Sequence, residues 1–146
     1  MSTTFSIATI PADGVGKEVV ASGRAVLDAL AARSGDGLSF DFVEYPWGTD
    51  YYTEHGVMMD PAGLDELKHD AIYFGAVGWP GVPDHITLWG LRLNICQNFD
   101  QWANVRPVQF LPGVTSPLRI ADETELDWVC VPSTWPAPAR ARRSRA

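Results

Sequence analysis

The strongest constraint on the fold is an alternation of strand-like and helix-like segments in the first 80 residues. Residues 4–10 form an apolar-rich strand pattern that ends at Pro11, and residues 15–33 repeat apolar side chains at helical spacing. Residues 38–45 alternate as a second strand, and the continuous apolar run at 71–77 is typical of a strand buried on both faces of a parallel sheet. The pattern predicts an α/β fold, an open and mainly parallel sheet with flanking helices.

The rest of the chain predicts shorter elements. Asp84 is expected to cap a helix that runs to residue 98. Further predictions are a turn at 34–37, short helices at 50–55 and 61–69, and strands at 103–110 and 126–131. In parallel α/β sheets, ligands bind at the carboxyl ends of the strands. We therefore expect any single site to be framed by residues 11–17, 75–80 and 104–107.

Composition excludes several classes of protein. The 146 residues suit one domain, and 46% hydrophobic and 20% charged residues are ordinary globular values. A net charge of −7 argues against a general binder of nucleic acid or anionic membranes, and no apolar run approaches the roughly 20 residues that span a bilayer. The amino terminus has no basic segment typical of a secretory signal, and two cysteines cannot form a disulfide framework. Both features predict a cytoplasmic location.

The charge is concentrated unevenly. The last seven residues carry four arginines, whereas residues 1–139 carry seven Lys and Arg against 18 Asp and Glu, a charge of −11. From Pro132 onward, 13 of 15 residues are Pro, Ala, Arg or Ser, a composition with almost nothing to bury. We expect a domain over 1–131 and a disordered tail over 132–146. The alternative is that the tail is an arm that binds an acidic partner or nucleic acid.

The glycine turn after the first strand invites comparison with a dinucleotide-binding loop. Asp13-Gly14-Val15-Gly16 follows a strand and opens a helix, but Val19 stands where the Rossmann fingerprint requires a third glycine. On this motif alone, a simple turn before a helix is the better interpretation.

Other chemically active residues carry weaker signals. The histidines lack metal-ligand spacing and are expected to be surface or structural: His55, His69 and His85. Both cysteines, Cys96 and Cys130, are expected to be buried structural thiols. The nearby aromatic side chains are expected to pack under a loop rather than stack on a ligand: Tyr45, Trp47, Tyr51 and Tyr52. Arg106 suits a salt bridge and a fork for a substrate carboxylate about equally well.

Several segments together resemble one enzyme family. IPADGVGKEVV (10–20), DAIYFGAVGWP (70–80) and NVRPV (104–108) are similar to successive motifs of the β-decarboxylating dehydrogenases, which include isocitrate, isopropylmalate, malate and tartrate dehydrogenases. DYYTEHG (50–56), GWPGVPDHITLWG (78–90) and FDQWANVRPV (99–108) resemble the branch of tartrate and decarboxylating D-malate dehydrogenases. The resemblance runs in order from about residue 5 to residue 129.

The resemblance implies a fold, a reaction and a set of cofactors. The family has an isopropylmalate-dehydrogenase-like open sheet and a homodimeric assembly, and it binds NAD without the Rossmann fingerprint. Its members oxidise a 2-hydroxy acid and remove the β-carboxylate with the help of Mn²⁺ or Mg²⁺. For this chain the resemblance implies a small 2-hydroxy dicarboxylate as substrate and no nucleic-acid or membrane partner. It leaves tartrate, D-malate and isopropylmalate open.

The resemblance also implies roles for particular residues. The two glycine turns would lie beside the nicotinamide and supply the cofactor-binding residues Ile10, Ala12, Asp13, Gly14, Gly75, Ala76 and Val77. Substrate binding would fall to Arg106 and Asn104, with Trp89, Leu93 and Cys96 facing the substrate from the preceding helix. Cys96 occupies a position where much of the family has an arginine, and Arg92, one helical turn earlier, is a candidate substitute.

The resemblance stops before the family's catalytic and metal-binding segments. It implies that this chain contains no catalytic residues and no metal ligands, and that it is the amino-terminal part of a longer enzyme, inactive alone. The abrupt change of composition after residue 131 is what a frameshift in GC-rich coding sequence produces. A non-catalytic interaction module with an arginine-rich tail is the alternative function.

Overall fold

The computed structural model describes residues 3–101, 103–109, 113 and 127–131. The chain divides into two compact units, residues 1–98 and residues 99–146. The first unit contains the parallel sheet and its helices, and the second contains a two-stranded ribbon.

A three-stranded parallel sheet forms the centre of the first unit. Its strands are β1 (Thr3–Ala12), β2 (Leu38–Glu44) and β3 (Ala71–Ala76), in the order β2-β1-β3. Ile7 of β1 lies between Phe42 of β2 and Ala71 of β3, which fixes the register on both sides. The predicted parallel α/β sheet is therefore confirmed for these strands.

Helices connect the strands. The long helix α1 (Gly16–Arg33) ends at Ser34, whose backbone N–H donates to the carbonyls of Leu30 and Ala31. Glu18 in its first turn and Arg33 in its last complement the helix dipole. The remaining helical segments are a 3₁₀ turn (Gly35–Gly37), α2 (Thr49–His55), α3 (Gly63–Glu66), α4 (Asp84–Thr87), a π-helical segment (Leu88–Arg92) and α5 (Leu93–Asn98).

Two glycines allow α1 to approach the sheet closely. A Cβ added at Gly16 or at Gly75 would collide with the carbonyl oxygen of Pro11. Side chains from the helices and connecting segments then bury the centre of the unit. The largest buried apolar side chains include Ile10, Val20, Trp47, Leu67, Leu91 and Ile95.

Three sequence expectations needed correction in this unit. Asp84 is the first residue of α4 rather than its cap, and Pro83 precedes it with no side-chain capping bond. The helix expected over 61–69 is only the four residues of α3, because the chain turns after Leu67 to reach β3. β3 is half-buried rather than buried on both faces, because among the described strands it pairs only with β1.

The second unit holds an antiparallel ribbon. β4 (Arg106–Gln109) pairs with β5 (Asp127–Cys130), with Arg106 opposite Cys130. All eight residues are exposed, so the expectation of a buried thiol is wrong for Cys130. Both cysteines are free, as expected. The predicted tail at 132–146 lies outside the described residues. Within the described part of the chain, no helix combines the length and apolar character needed to cross a bilayer.

Candidate active site

The strand order places a crevice at one edge of the sheet. From β1 the chain crosses to β2 on one side, and from β2 it crosses back over β1 to β3 on the other. Such a reversal opens a crevice between the carboxyl ends of the two strands, and α/β sheets bind ligands there. Here those ends are Ala12 and Ala76, which lie opposite each other in register.

A buried carboxylate organises this crevice. Asp13 is only 4% exposed. Its Oδ1 accepts a hydrogen bond from the backbone N–H of Thr49 (2.7 Å), and its Oδ2 accepts from the Thr49 hydroxyl (2.9 Å) and the backbone N–H of Gly78 (2.9 Å). One side chain thus joins the turn after β1 to the start of α2 and to the loop after β3. Charge-assisted bonds of this kind are among the stronger ones in proteins.

Backbone geometry makes this anchor possible. The N–H of Asp13 donates to the carbonyl of Ala76 at 2.8 Å, which closes the two strand ends on each other. Gly48 has a φ of 150°, and a Cβ there would come within 2.9 Å of Asp13 Oδ1. Gly14 has a φ of 52°, a conformation that glycine adopts without strain. The local sequence therefore lets three segments meet at one carboxylate.

The structure brings together the residues expected around the cofactor. Ile10 is fully buried in the central strand, Ala12 and Asp13 are buried at its end, and Gly14 is exposed in the turn. Gly75, Ala76 and Val77 are half-buried at the facing end of β3. Segments 11–17 and 75–80, two of the three expected to frame the site, are thus adjacent. Asp13 differs from its neighbours in that both of its carboxylate oxygens are already used within the chain.

Two residues at this crevice, Thr49 and Trp79, were not identified individually from the sequence, although Trp79 lies within the expected segment 75–80. Thr49 is 36 positions from Asp13, and no spacing rule connects them. Trp79 is 53% exposed, and a Cβ built on Gly14 would lie 4.0 Å from Cζ3 of its indole ring. The signal for Trp79 was its position directly after the glycine turn that ends β3.

The expected substrate-facing helix is irregular where it carries those residues. The π-helical segment spans Leu88–Arg92 and includes Trp89, which is exposed. Leu93 and Cys96 are half-buried at the start of α5. The buried face of the same helical stretch is formed by Thr87, Leu91 and Ile95. π-helical turns inside α-helices occur frequently at functional sites.

Two of the arginines singled out from the sequence have guanidinium groups without acidic partners among the described residues. Arg92 is half-buried in the π-helical segment, and no hydrogen bond or ion pair joins it to any described residue. Arg106 is exposed in the second unit, where its Nε donates to Oδ1 of Asn104 at 3.3 Å. The Nδ2 of Asn104 is buried and has no partner in the described part of the chain. Both guanidinium groups are thus available to a carboxylate.

The same carboxyl edge of the sheet carries paired charges on the other side of β1, next to β2. A cavity of about 390 Å³ lies between α1, the end of β2 and the start of α2. Lys17 bonds to Asp50 at 2.6 Å and Arg24 bonds to Glu44 at 2.8 Å across it. The hydrogen bond that Lys17 donates to Asp50, together with the negative charge of Asp50, raises the pKa of Lys17 above its usual value. These pairs are exposed and contribute little stability.

Ser6, Tyr45 and His69 form a hydrogen-bonded group on the sheet, which we call the histidine cluster. His69 Nδ1 lies 2.7 Å from Ser6 Oγ, and its Nε2 lies 3.0 Å from the Tyr45 hydroxyl, which donates to the carbonyl of Glu66 at 2.9 Å. Burial, followed by the Glu66 charge, raises the pKa of Tyr45. The structural role expected of His69 is confirmed, as is the packing of Tyr45 against the buried Trp47 (4.5 Å between ring centroids). Among the described residues, no group of three His, Cys, Asp or Glu could hold a metal ion.

Comparison with known proteins gives a consistent result. Residues 6–133 match the isocitrate/isopropylmalate dehydrogenase family. The chain is 62% identical over 128 residues to a probable tartrate dehydrogenase/decarboxylase of Agrobacterium vitis, covering 87% of this chain and 36% of that protein. It is 48% identical over 133 residues to the decarboxylating D-malate dehydrogenase of Escherichia coli (strain K12), covering 90% of this chain and 37% of that enzyme.

The fold comparison agrees. The crystal structure of a β-decarboxylating dehydrogenase from Thermococcus kodakarensis, in its apo form, superposes with a TM-score of 0.62 at 27% sequence identity. The match covers 90% of this chain and 34% of that one. The chain spans about a third of the length of the curated relatives that it matches. The motif resemblance is therefore confirmed, and the chain belongs to the isocitrate/isopropylmalate dehydrogenase family.

Proposed function

We propose that this chain is the amino-terminal part of an NAD-dependent oxidative decarboxylase that acts on a 2-hydroxy dicarboxylic acid, tartrate or D-malate. The observation that carries the proposal is the 62% identity with a probable tartrate dehydrogenase/decarboxylase across nearly nine-tenths of the chain. D-malate is supported by the 48% identity with the decarboxylating D-malate dehydrogenase of Escherichia coli. These two substrates share a 2-hydroxyl group and two carboxylates.

The crevice between β1 and β3 is the proposed subsite for the nicotinamide end of NAD. Gly14 presents bare backbone beside the ring of Trp79, and the missing side chain of Gly75 lets the end of β3 pack directly on Pro11 and Gly16. NAD would supply the acceptor for the hydride removed from the substrate's C2. In this proposal the walls of the subsite are Ala12, Gly14, Gly75, Ala76 and Val77, and the fully buried Ile10 supports them from behind. Asp13 contributes by holding the turns, because its carboxylate is already occupied.

Arg106 and Asn104 are proposed to bind the substrate. The guanidinium group presents a planar fork that matches a carboxylate, and Asn104 would orient that group, since its Oδ1 accepts a hydrogen bond from Arg106 Nε at 3.3 Å. Trp89, Leu93 and Cys96 would face the variable part of the substrate from the helix. Arg92 is proposed to supply the second carboxylate contact that a cysteine at position 96 cannot make.

The described residues do not fit a divalent metal ion, since no three potential ligands come together. No step is therefore assigned to Mn²⁺ or Mg²⁺ on this chain, although the proposed full-length enzyme would use one. The homodimeric assembly and the cytoplasmic location belong to the same proposal. We also propose that the 146-residue chain is inactive alone, because the described residues place no acid and base pair at the crevice beside Asp13.

The proposal is tested by titrating the isotopically labelled chain with NAD and following backbone amide shifts. NAD should move the amides of Gly14, Gly75 and Ala76 with a dissociation constant in the millimolar range, while ADP-ribose, which lacks the nicotinamide, should leave them in place. Shifts confined to other residues would contradict the proposed cofactor site. With tartrate or D-malate and Mn²⁺ added, no NADH absorbance should develop, and its appearance would refute the inactivity of the chain.

A further inference from the structure

Trp79 is the most unusual side chain at the crevice. A tryptophan that is 53% exposed leaves a large apolar surface in water, which is unfavourable by about 25 cal/mol for each Å². Its ring lies beside Gly14, which has no side chain to cover it. By contrast, Trp47 is buried and packs on Tyr45. Trp47 is thus covered within its own unit, whereas the indole ring of Trp79 is open to solvent at the crevice.

The backbone that carries this indole is held on both sides. Gly78, immediately before it, donates its N–H to the buried carboxylate of Asp13 at 2.9 Å. The carbonyl of Trp79 accepts a hydrogen bond from the N–H of Val82 at 3.1 Å, which closes a turn. The positive φ angles of Gly78 (123°) and Gly81 (93°) shape that turn. The exposed ring is thus mounted on a fixed loop at the crevice where α/β sheets bind ligands.

We propose that Trp79 is a stacking face for the pyridine ring of the nicotinamide cofactor. The proposal rests on the proposed function, since it deepens the same crevice. An indole face attracts flat rings and cations, and the oxidised nicotinamide is both flat and positively charged. The reduced ring is neutral and loses the cationic part of this attraction. Trp79 therefore stabilises the oxidised cofactor more than the reduced one, and Asp13 acts as a positioning residue for it.

The test measures dissociation constants of NAD⁺ and NADH by amide shifts for the wild-type chain and for Trp79→Phe, Trp79→Ala and Trp128→Ala. Trp128 is a matched control because it is 54% exposed and lies on the ribbon of the second unit. Trp79→Ala should weaken NAD⁺ binding about fivefold to tenfold and NADH binding less, in line with desolvated cation–π contacts. The NAD⁺ dissociation constant of Trp79→Phe should lie between those of the wild type and Trp79→Ala, and that of Trp128→Ala should match the wild type.

A second readout is independent of the variants' stability. In the wild-type chain, nuclear Overhauser contacts should join the indole protons of Trp79 to the nicotinamide ring protons. The stacking role is refuted if the wild type binds NAD⁺ at the crevice while Trp79→Ala binds it equally well, or if those contacts are missing. If the wild type shows no shifts at Gly14 and Gly75, the proposed function fails first, and the role of Trp79 falls with it.

Discussion

The crevice of the first unit and the ribbon of the second are built in opposite ways. At the crevice, three separate segments meet at the buried Asp13 carboxylate through bonds of 2.7 to 2.9 Å. In the ribbon, all eight strand residues are exposed, and the one side-chain bond of Arg106 among described residues is 3.3 Å long. An isolated two-stranded ribbon is marginally stable in water. The turns proposed to bind the cofactor are therefore held by contacts within the first unit, whereas Arg106 of the ribbon is not held by comparable contacts.

Removing the Asp13 carboxylate should have the largest effect on the free energy of unfolding. Asp13→Ala leaves the amides of Thr49 and Gly78 without an acceptor and should lower the free energy of unfolding by about 4 kcal/mol, given roughly 1.5–3 kcal/mol for each bond to a charged group with incomplete additivity. Asp13→Asn should lower the free energy of unfolding by about half as much. Urea unfolding measures both.

The control for the anchor is Asp50→Ala. Asp50 is also a carboxylate in a short contact, but its ion pair with Lys17 is exposed. Its removal should leave the urea midpoint unchanged. Equal losses for Asp13→Ala and Asp50→Ala would show that burial at the crevice has no energetic consequence.

A substitution in the histidine cluster should have an intermediate effect on the free energy of unfolding, and that effect should depend on pH. Tyr45→Phe removes the hydroxyl that joins Glu66 and His69, and should cost about 1.5 kcal/mol at pH 7. Because burial raises the pKa of Tyr45, the unfolded chain ionises this tyrosine first as pH rises. The wild type therefore loses the stability due to Tyr45 above about pH 10, and its advantage over Tyr45→Phe narrows there.

Tyr52→Phe is the matched control, since the Tyr52 hydroxyl makes no hydrogen bond to any described residue. It should leave the unfolding free energy unchanged at pH 7. A difference between wild type and Tyr45→Phe that stays constant from pH 8 to pH 11 would contradict the raised pKa of Tyr45.

The ribbon should give the smallest effect. Arg106→Ala removes an exposed side chain with one long hydrogen bond, so its unfolding free energy should stay within about 0.5 kcal/mol of wild type. A loss above about 1 kcal/mol in urea unfolding would show that the ribbon is as tightly integrated as the crevice, contrary to the comparison.

The two regions also differ in how far the sequence predicts them. Alternating apolar patterns predicted the parallel sheet and α1, because burial against the sheet imposes their periodicity. Motif order predicted the glycine turn at Gly14 and the glycine-containing segment at the end of β3, in which Gly75 is a strand residue. The hydrogen bond that the Thr49 N–H donates to Asp13 could not be predicted, because it joins residues 36 positions apart and no local sequence rule connects them. The π-helical segment was missed because its apolar pattern resembles that of an ordinary helix.

Amide hydrogen exchange of the unliganded 146-residue chain tests the central claim that the cofactor turns are formed before any ligand binds. The amides of Thr49 and Gly78, which donate to Asp13, should exchange at least about 100-fold more slowly than that of Val105, an exposed residue next to the ribbon. Protection of these two amides would establish that the first unit alone organises the crevice. Exchange of both at the rate of Val105 would show that the anchor does not persist in solution and would contradict the account.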